Sequence, residues 1–224
     1  MEELNSSTLF FLQKLANNNN RDWFNKHKDL YLNEKENTTS FFNEVKLNLT
    51  AHDKIEKMKL FRIYRDVRFS ADKTPYKPRF AAHFVRATKE LRGGYYLHIE
   101  PKNSFLAGGF WKPNKEDLFR IRKEFEFDDD EIKQILNGKK FLQNFGNIEG
   151  ESVKTAPRGF NKNHKAIDLI RMKQFVVTKK FSNNEVLSSD FLPNIDSSFK
   201  TMRPFLDYMS YVLTTNLNGE SILD

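Results

Sequence analysis

Between residues 61 and 80 the chain reads FRIYRDVRFSADKTPYKPRF. Phe61, Ile63, Val67 and Phe69 alternate with Arg62, Tyr64, Asp66 and Arg68, the two-residue period of a half-buried strand. Arg65 falls on the apolar side of that alternation, where a guanidinium needs a carboxylate, carbonyls or an anionic ligand. Ser70 to Pro75 carries turn formers and a proline, which ends the strand. Tyr76, Lys77, Pro78 and Arg79 then lead into a second strand over 80–87. The order strand, tight loop, strand makes this stretch the head of an antiparallel meander.

The same stretch sets six cations against two carboxylates. Backbone N–H groups, Ser70, Thr74, Lys73 and Lys77 can receive a phosphate or carboxylate, and arginine suits bidentate recognition of oxyanions. A charged hairpin in which Asp66 and Asp72 neutralise neighbouring arginines explains the composition equally well. Both readings stand at this point.

Working outward, strands are expected over 60–69, 80–87, 95–100 and 105–111. Gly93-Gly94 supplies one turn, and Pro101, Asn103 and Ser104 supply the next. Gly108-Gly109 inside a strand pattern marks a bulge or a close approach, with packing against Trp111 the expected cause. On the amino-terminal side, Ser6, Ser7 or Thr8 can cap a first helix, Asn17 to Asn20 form a polar break, and Asp22 can cap a second helix. A weak point at 37–40 separates it from a third, with Phe41, Phe42, Val45 and Leu49 on one side. Beyond the meander, Asn114 with Asp117 and Asp128 with Glu131 resemble helix starts. The acids of 128–131 suit the positive end of a helix dipole. A fifth strand over 174–181 has no assigned place in the sheet. The last helix has Phe191, Ile195, Phe199, Met202, Phe205, Met209 and Val212 in a stripe, with Pro204 expected to kink it or begin another. The fold class is therefore α+β: an antiparallel sheet of about five strands packed with amino-terminal and carboxy-terminal helices. No repeat or linker divides the chain, so residues 1–224 read as a single domain.

Bulk properties narrow the chemistry. The chain has no cysteine, which removes disulfides, thiolate catalysis and cysteine–metal sites. Its net charge of +7 favours anionic partners. The first residues lack the features of a signal peptide, and no apolar run approaches membrane-spanning length, so a cytoplasmic location without a membrane partner is expected. No phosphate-loop, dinucleotide or nucleophile-elbow motif is present, and no cofactor is assigned. His83, His98, Glu100 and Asp66 offer a mixed imidazole–carboxylate set, but no short metal signature accompanies them and no metal is assigned.

Two further groups bear on acid–base chemistry. His98 and Glu100 alternate on one strand face near Tyr64 and Tyr96, a set compatible with proton transfer. Pro157 and Gly159 fix a loop that presents Arg158. In the helix expected after it, His164, Asp168 and Arg171 are spaced four and three apart and would share a face.

FRIYRDVRFSADKTPYKPRF, followed by GGYYLHIEP, GGFWKP and TAPRGFNKNHKAIDLIRMKQF, resembles the bacterial family catalogued as domain of unknown function 2461. The opening FFLQKLANNNNRDWFNKHKDLY is similar to the same family, so the resemblance covers most of the chain. It implies a compact, cytoplasmic bacterial protein and supplies no reaction and no catalytic residues. Lys165 stands where the family pattern has a proline, which leaves the start of that helix unset.

The functional expectation is a domain that binds a small phosphorylated or carboxylated ligand, and can act on it where an acid–base group stands alongside. Its anion-binding residues would be Arg62, Arg65, Arg68, Lys73, Lys77 and Arg158, with His98, Glu100, His164 and Asp168 as acid–base candidates. One alternative is a nucleic-acid-binding module that uses the same cations with Tyr64, Tyr76 and Trp111 as stacking surfaces. Another is a protein-interaction domain that meets an acidic partner.

Overall fold

In a computed structural model, which describes residues 3–223, the strands are β1 Ile55–Leu60, β2 Phe80–Arg86, β3 Gly94–Ile99, β4 Ser104–Phe110 and β5 Phe175–Phe181. They form one antiparallel sheet in the order β1-β2-β3-β4-β5, so the fifth strand lies beside β4. Alternation sets the two faces of β3. Tyr95, Leu97 and Ile99 are fully buried, and Tyr96 and His98 point the other way.

The first strand is displaced from its expected place. It ends where the alternation of 61–69 begins, and that alternation is covered only in part: Ile63 is buried, but Phe69 is 94% exposed and Phe61 40%. Residues 61–79 leave the sheet as an excursion whose regular pairing is a single antiparallel bridge between Tyr64 and Tyr76.

Helices α1 Ser6–Asn17 and α2 Arg21–Lys26 are capped by Asn5 and Asn20, whose side chains accept from the backbone of Ser7 and Trp23. The caps expected at Ser6 to Thr8 and at Asp22 lie inside the first turns instead. Helix α3, Lys28–Thr50, runs through the expected weak point at 37–40. Thr38 and Thr39 donate their hydroxyls to the carbonyls of Glu34 and Lys35 at 2.7 and 2.6 Å, which satisfies them within the helix.

Between β4 and β5 come α4 Lys115–Phe127, α5 Asp130–Leu136, α6 Lys139–Phe145 and the four-residue α7 Ile167–Ile170. A short α8, Asn183–Val186, precedes α9, Phe191–Thr214, which continues past Pro204 instead of restarting there.

Contacts divide the chain into two compact units whose boundaries fall inside strands and inside α9. One comprises residues up to 84, 96–106 and 180–197; the other comprises 85–95, 107–179 and 198 onward. Aromatic packing holds each. In the first, Phe24 lies 5.1 Å from Tyr31, and Phe41 stacks on Phe191 at 5.6 Å. In the second, Tyr95 meets Phe199 at 4.9 Å and Phe125 meets Phe175 at 5.8 Å. Arg86 is wholly buried there, paired with Asp207 and donating to Ser210 Oγ at 3.2 Å.

Gly108 and Gly109 answer to close packing, but not against Trp111, which is 64% exposed. A Cβ on Gly108 would meet the sulfur of Met202. A Cβ on Gly109, where φ is +126°, would meet the carbonyl oxygen of Phe175 on β5. Gly109→Ala is therefore expected to lower the unfolding free energy by on the order of 3 kcal/mol. Gly146→Ala, at φ +64° with open space around it, is expected to cost about 1 kcal/mol. Denaturant unfolding of the two variants checks the difference.

Candidate functional site

The excursion at 61–79 and the outer side of β3 both belong to the first unit. Two devices hold the excursion. Arg65 N donates to Pro75 O at 2.8 Å, and Lys77 N to Ile63 O at 2.7 Å. From outside, the Asn19 side chain pairs with the backbone of Tyr76, donating to its carbonyl at 2.9 Å and accepting from its N–H at 3.1 Å. Phe24 stacks on the Tyr76 ring at 4.0 Å. Pro78 keeps Lys77 extended, and the chain re-enters the sheet at Phe80.

The cations on this frame fall into two groups. Arg68 grips Asp66 through two hydrogen bonds of 3.0 and 2.7 Å and is spent. That pairing, first by side-chain and then by backbone contact, holds Asp66 below its usual range. Lys73 donates to Val67 O at 2.9 Å. Arg65 pairs with Asp72 at 2.9 Å through one terminal nitrogen, while its buried Nε–H finds no acceptor.

The second group, Arg79, Lys77 and Arg62, forms no ion pair among the described residues, although Arg62 acts on Asp66 and Arg79 on Glu100 from a distance. Arg79 also has a buried Nε–H without an acceptor. Burial first, and then Arg79, Arg65 and Arg62, push the Lys77 ammonium below the usual lysine value, and no carboxylate opposes them.

Arg79 connects this cluster to β3. Its Nη1 reaches His98 Nδ1 at 3.4 Å, and the Tyr96 hydroxyl meets the same nitrogen at 3.1 Å. A guanidinium only donates, so Nδ1 accepts and the ring hydrogen sits on Nε2. That hydrogen is donated to Glu100 Oε2 at 2.8 Å. His98 is 1% exposed and stacks on Phe105 at 4.5 Å. Glu100 is set by its turn: Asn103 donates to its carboxylate at 2.9 Å, and Ser104 Oγ accepts from its backbone at 3.1 Å. The hydrogen bond from His98 is the main reason the Glu100 carboxyl lies below its usual range; burial opposes it. Burial holds the Tyr96 phenol above its usual range, with Arg79 opposing.

The other sequence candidates belong to the second unit. Arg158 sits exposed in the turn at 157–160 of the second unit. Helix α7 is too short to carry the expected polar stripe. His164 precedes it and accepts from the Ala166 N–H at 3.1 Å; Asp168 is almost wholly exposed, 3.9 Å from Arg171. The only group of three or more acids and imidazoles within ligand reach among the described residues is Asp128, Asp129 and Asp130. Its buried member, Asp129, is paired with Lys133 and with Lys165, the latter at 2.6 Å. His83, His98, Glu100 and Asp66 form no such group.

A family described as conserved hypothetical protein (DUF2461) matches residues 7–208. The chain belongs to that family. Comparison with curated proteins and with solved structures found no match. The DUF2461 match takes in the whole excursion and all of Tyr96, His98 and Glu100. No helix of the described residues is long and apolar enough to cross a membrane.

Two participants went unrecognised in the sequence. Arg79 was read only as an approach to β2, and the turn that sets it, in which its N–H donates to Lys77 O at 2.7 Å, has no signal of its own. Asn19 sat within a polar break, where nothing local marks one asparagine of four as a clamp.

The folded state favours ionised Glu100, so its contribution to stability is present above the ordinary carboxylate value of 4.5 and is lost as pH falls below it. Glu100→Gln is expected to destabilise by on the order of 1 kcal/mol at pH 7. It should lose less than the parent between pH 5 and pH 3, as read from urea midpoints across that range.

Proposed function

We propose that the excursion at 61–79 binds the oxyanion of a small phosphorylated or carboxylated molecule, with Lys77, Arg79, Arg65 and Arg62 around it. The observation that carries this reading is that, among the described residues, two of the four arginines with a buried, acceptor-less Nε–H, Arg65 and Arg79, both stand beside Lys77 in one cluster of cations, whereas Arg122 and Arg171 belong to the second unit. An unsatisfied buried donor costs about 1–3 kcal/mol, more where it is charged. A bound oxyanion removes that cost twice and also offsets the repulsion at Lys77. Such a cluster is stored strain in the ligand's absence and binding energy in its presence.

The chain Tyr96–His98–Glu100 gives the site a proton path. A proton given up by the bound molecule to the Tyr96 oxygen would let the Tyr96 hydroxyl hydrogen pass to His98 Nδ1 and the Nε2 hydrogen pass to Glu100, so that Tyr96 and His98 end neutral and Glu100 holds the proton. Arg79 contacts this chain directly, so a ligand on Arg79 stands beside it. This supports proton transfer to or from the bound molecule.

One observation favours a second reading, single-stranded nucleic acid. Phe69 stands almost fully exposed at the tip of the excursion, with the Arg68 guanidinium 5.8 Å from its ring centroid. An exposed aromatic beside a cation is a stacking platform for bases.

Melting with inorganic phosphate, against chloride at equal ionic strength, tests the first reading. At a hundredfold excess over Kd, phosphate should stabilise the protein by about 2.7 kcal/mol. Lys77→Gln should remove that gain and, by relieving repulsion, raise the anion-free Tm by on the order of 2 °C in low salt. No phosphate response in the parent, or a Lys77→Gln variant that responds as the parent does, overturns the reading. Binding to mixed-sequence single strands that weakens steeply with salt and is lost in Phe69→Ala would transfer the site to nucleic acid.

A further inference from the structure

A cleft of about 310 Å³ opens within the first unit, between α3 and the residues leading from β1 into the excursion. Its volume lies at the small end of the range of small-molecule sites. The walls are mostly apolar, with Phe42, Ile63, Phe80 and Ala81 all buried. Thr38 and Thr39 also line it, but their hydroxyl hydrogens are donated to the carbonyls one turn back, so they offer the cleft no donor. The charged groups in the lining are Lys35 and Arg62, and neither forms an ion pair among the described residues. Arg62 also contributes to the positive field around Lys77. The cleft and the basic cluster therefore share a residue.

We propose that the ligand of this protein is an organic acid with an apolar body, its acid group on the cationic excursion at Arg62 and its body in this cleft. The inference rests on the anion-binding reading and adds the class of molecule. A purely polar anion would leave the apolar walls against water. A purely apolar molecule would gain nothing from two cations that form no ion pair among the described residues. Only a molecule with both parts uses the whole lining, and the cleft is too small for one much larger than a medium-chain or single-ring acid.

Calorimetric titration with phosphate, acetate and octanoate separates this inference from the reading beneath it. Octanoate is expected to bind the parent protein at least about ten times more tightly than acetate, since each methylene buried contributes up to about 0.8 kcal/mol. Thr39→Phe, which projects a ring into the cleft from the helix surface, should abolish that advantage and leave phosphate binding unchanged. Leu60→Phe is the second variant, should the first not fold. Equal affinity for acetate and octanoate, with phosphate still bound, overturns the cleft assignment and leaves the anion site standing. A chain-length advantage that survives in a folded plug variant overturns it too. No binding of any of the three overturns both.

Discussion

The side-chain amide of Asn19 clamps the backbone of Tyr76, and the geometry of the basic excursion depends on that clamp. A segment of nineteen residues with one regular bridge would otherwise have little to hold it: its own strand pairing is sparse and its tip is solvated. Asn19 supplies both a donor and an acceptor where a neighbouring strand would. Phe24 closes over the Tyr76 ring from α2. With Tyr76 held, the next residue, Lys77, is held as well, and its position among three guanidinium groups follows from the fold without any contact that favours its charge.

That arrangement is costly, and how unevenly the cost is distributed is informative. Arg68 and Arg65 have carboxylates within reach, and both took them. Asp66 and Asp72 sit in the loop that joins the two arms, close to those arginines. No carboxylate pairs with Lys77 among the described residues, and the acid beyond Arg79, Glu100, is already bonded to His98 and Asn103. The bland account, a hairpin that neutralises itself, therefore describes the tip of the excursion. It does not describe the base, where Arg79 meets the Tyr96–His98–Glu100 chain and where Arg62 opens onto the apolar cleft. Charge left over at one end of a hairpin, beside a cavity and a defined imidazole tautomer, is what a ligand site requires.

Much of this was legible in the residues. The strand after Phe80, the turn at Gly93-Gly94 and the shared face of His98 and Glu100 follow from period-two alternation and turn chemistry, which are local. The misread parts are those where local pattern and tertiary partner disagree. Alternation over 61–69 is broken at Arg65, and of its apolar residues only Ile63 is buried, so the segment left the sheet. Thr38 and Thr39 look like a break until their hydroxyls turn back onto the helix. The stripe of His164, Asp168 and Arg171 needs a helix of two turns, and the chain forms one of four residues. Asn19 and Arg79 matter through contacts 57 and 19 residues away, which no spacing rule contains.

The account stands or falls on whether the unpartnered Nε–H groups of Arg65 and Arg79 receive an oxyanion. Anomalous diffraction from crystals soaked in selenate locates such an ion directly. The expected result is an anomalous peak within hydrogen-bond distance of Arg65 Nε or Arg79 Nε and near Lys77, absent in Lys77→Gln crystals. Selenate scattered over surface lysines, with the two Nε–H groups bonded to ordered water instead, would contradict it.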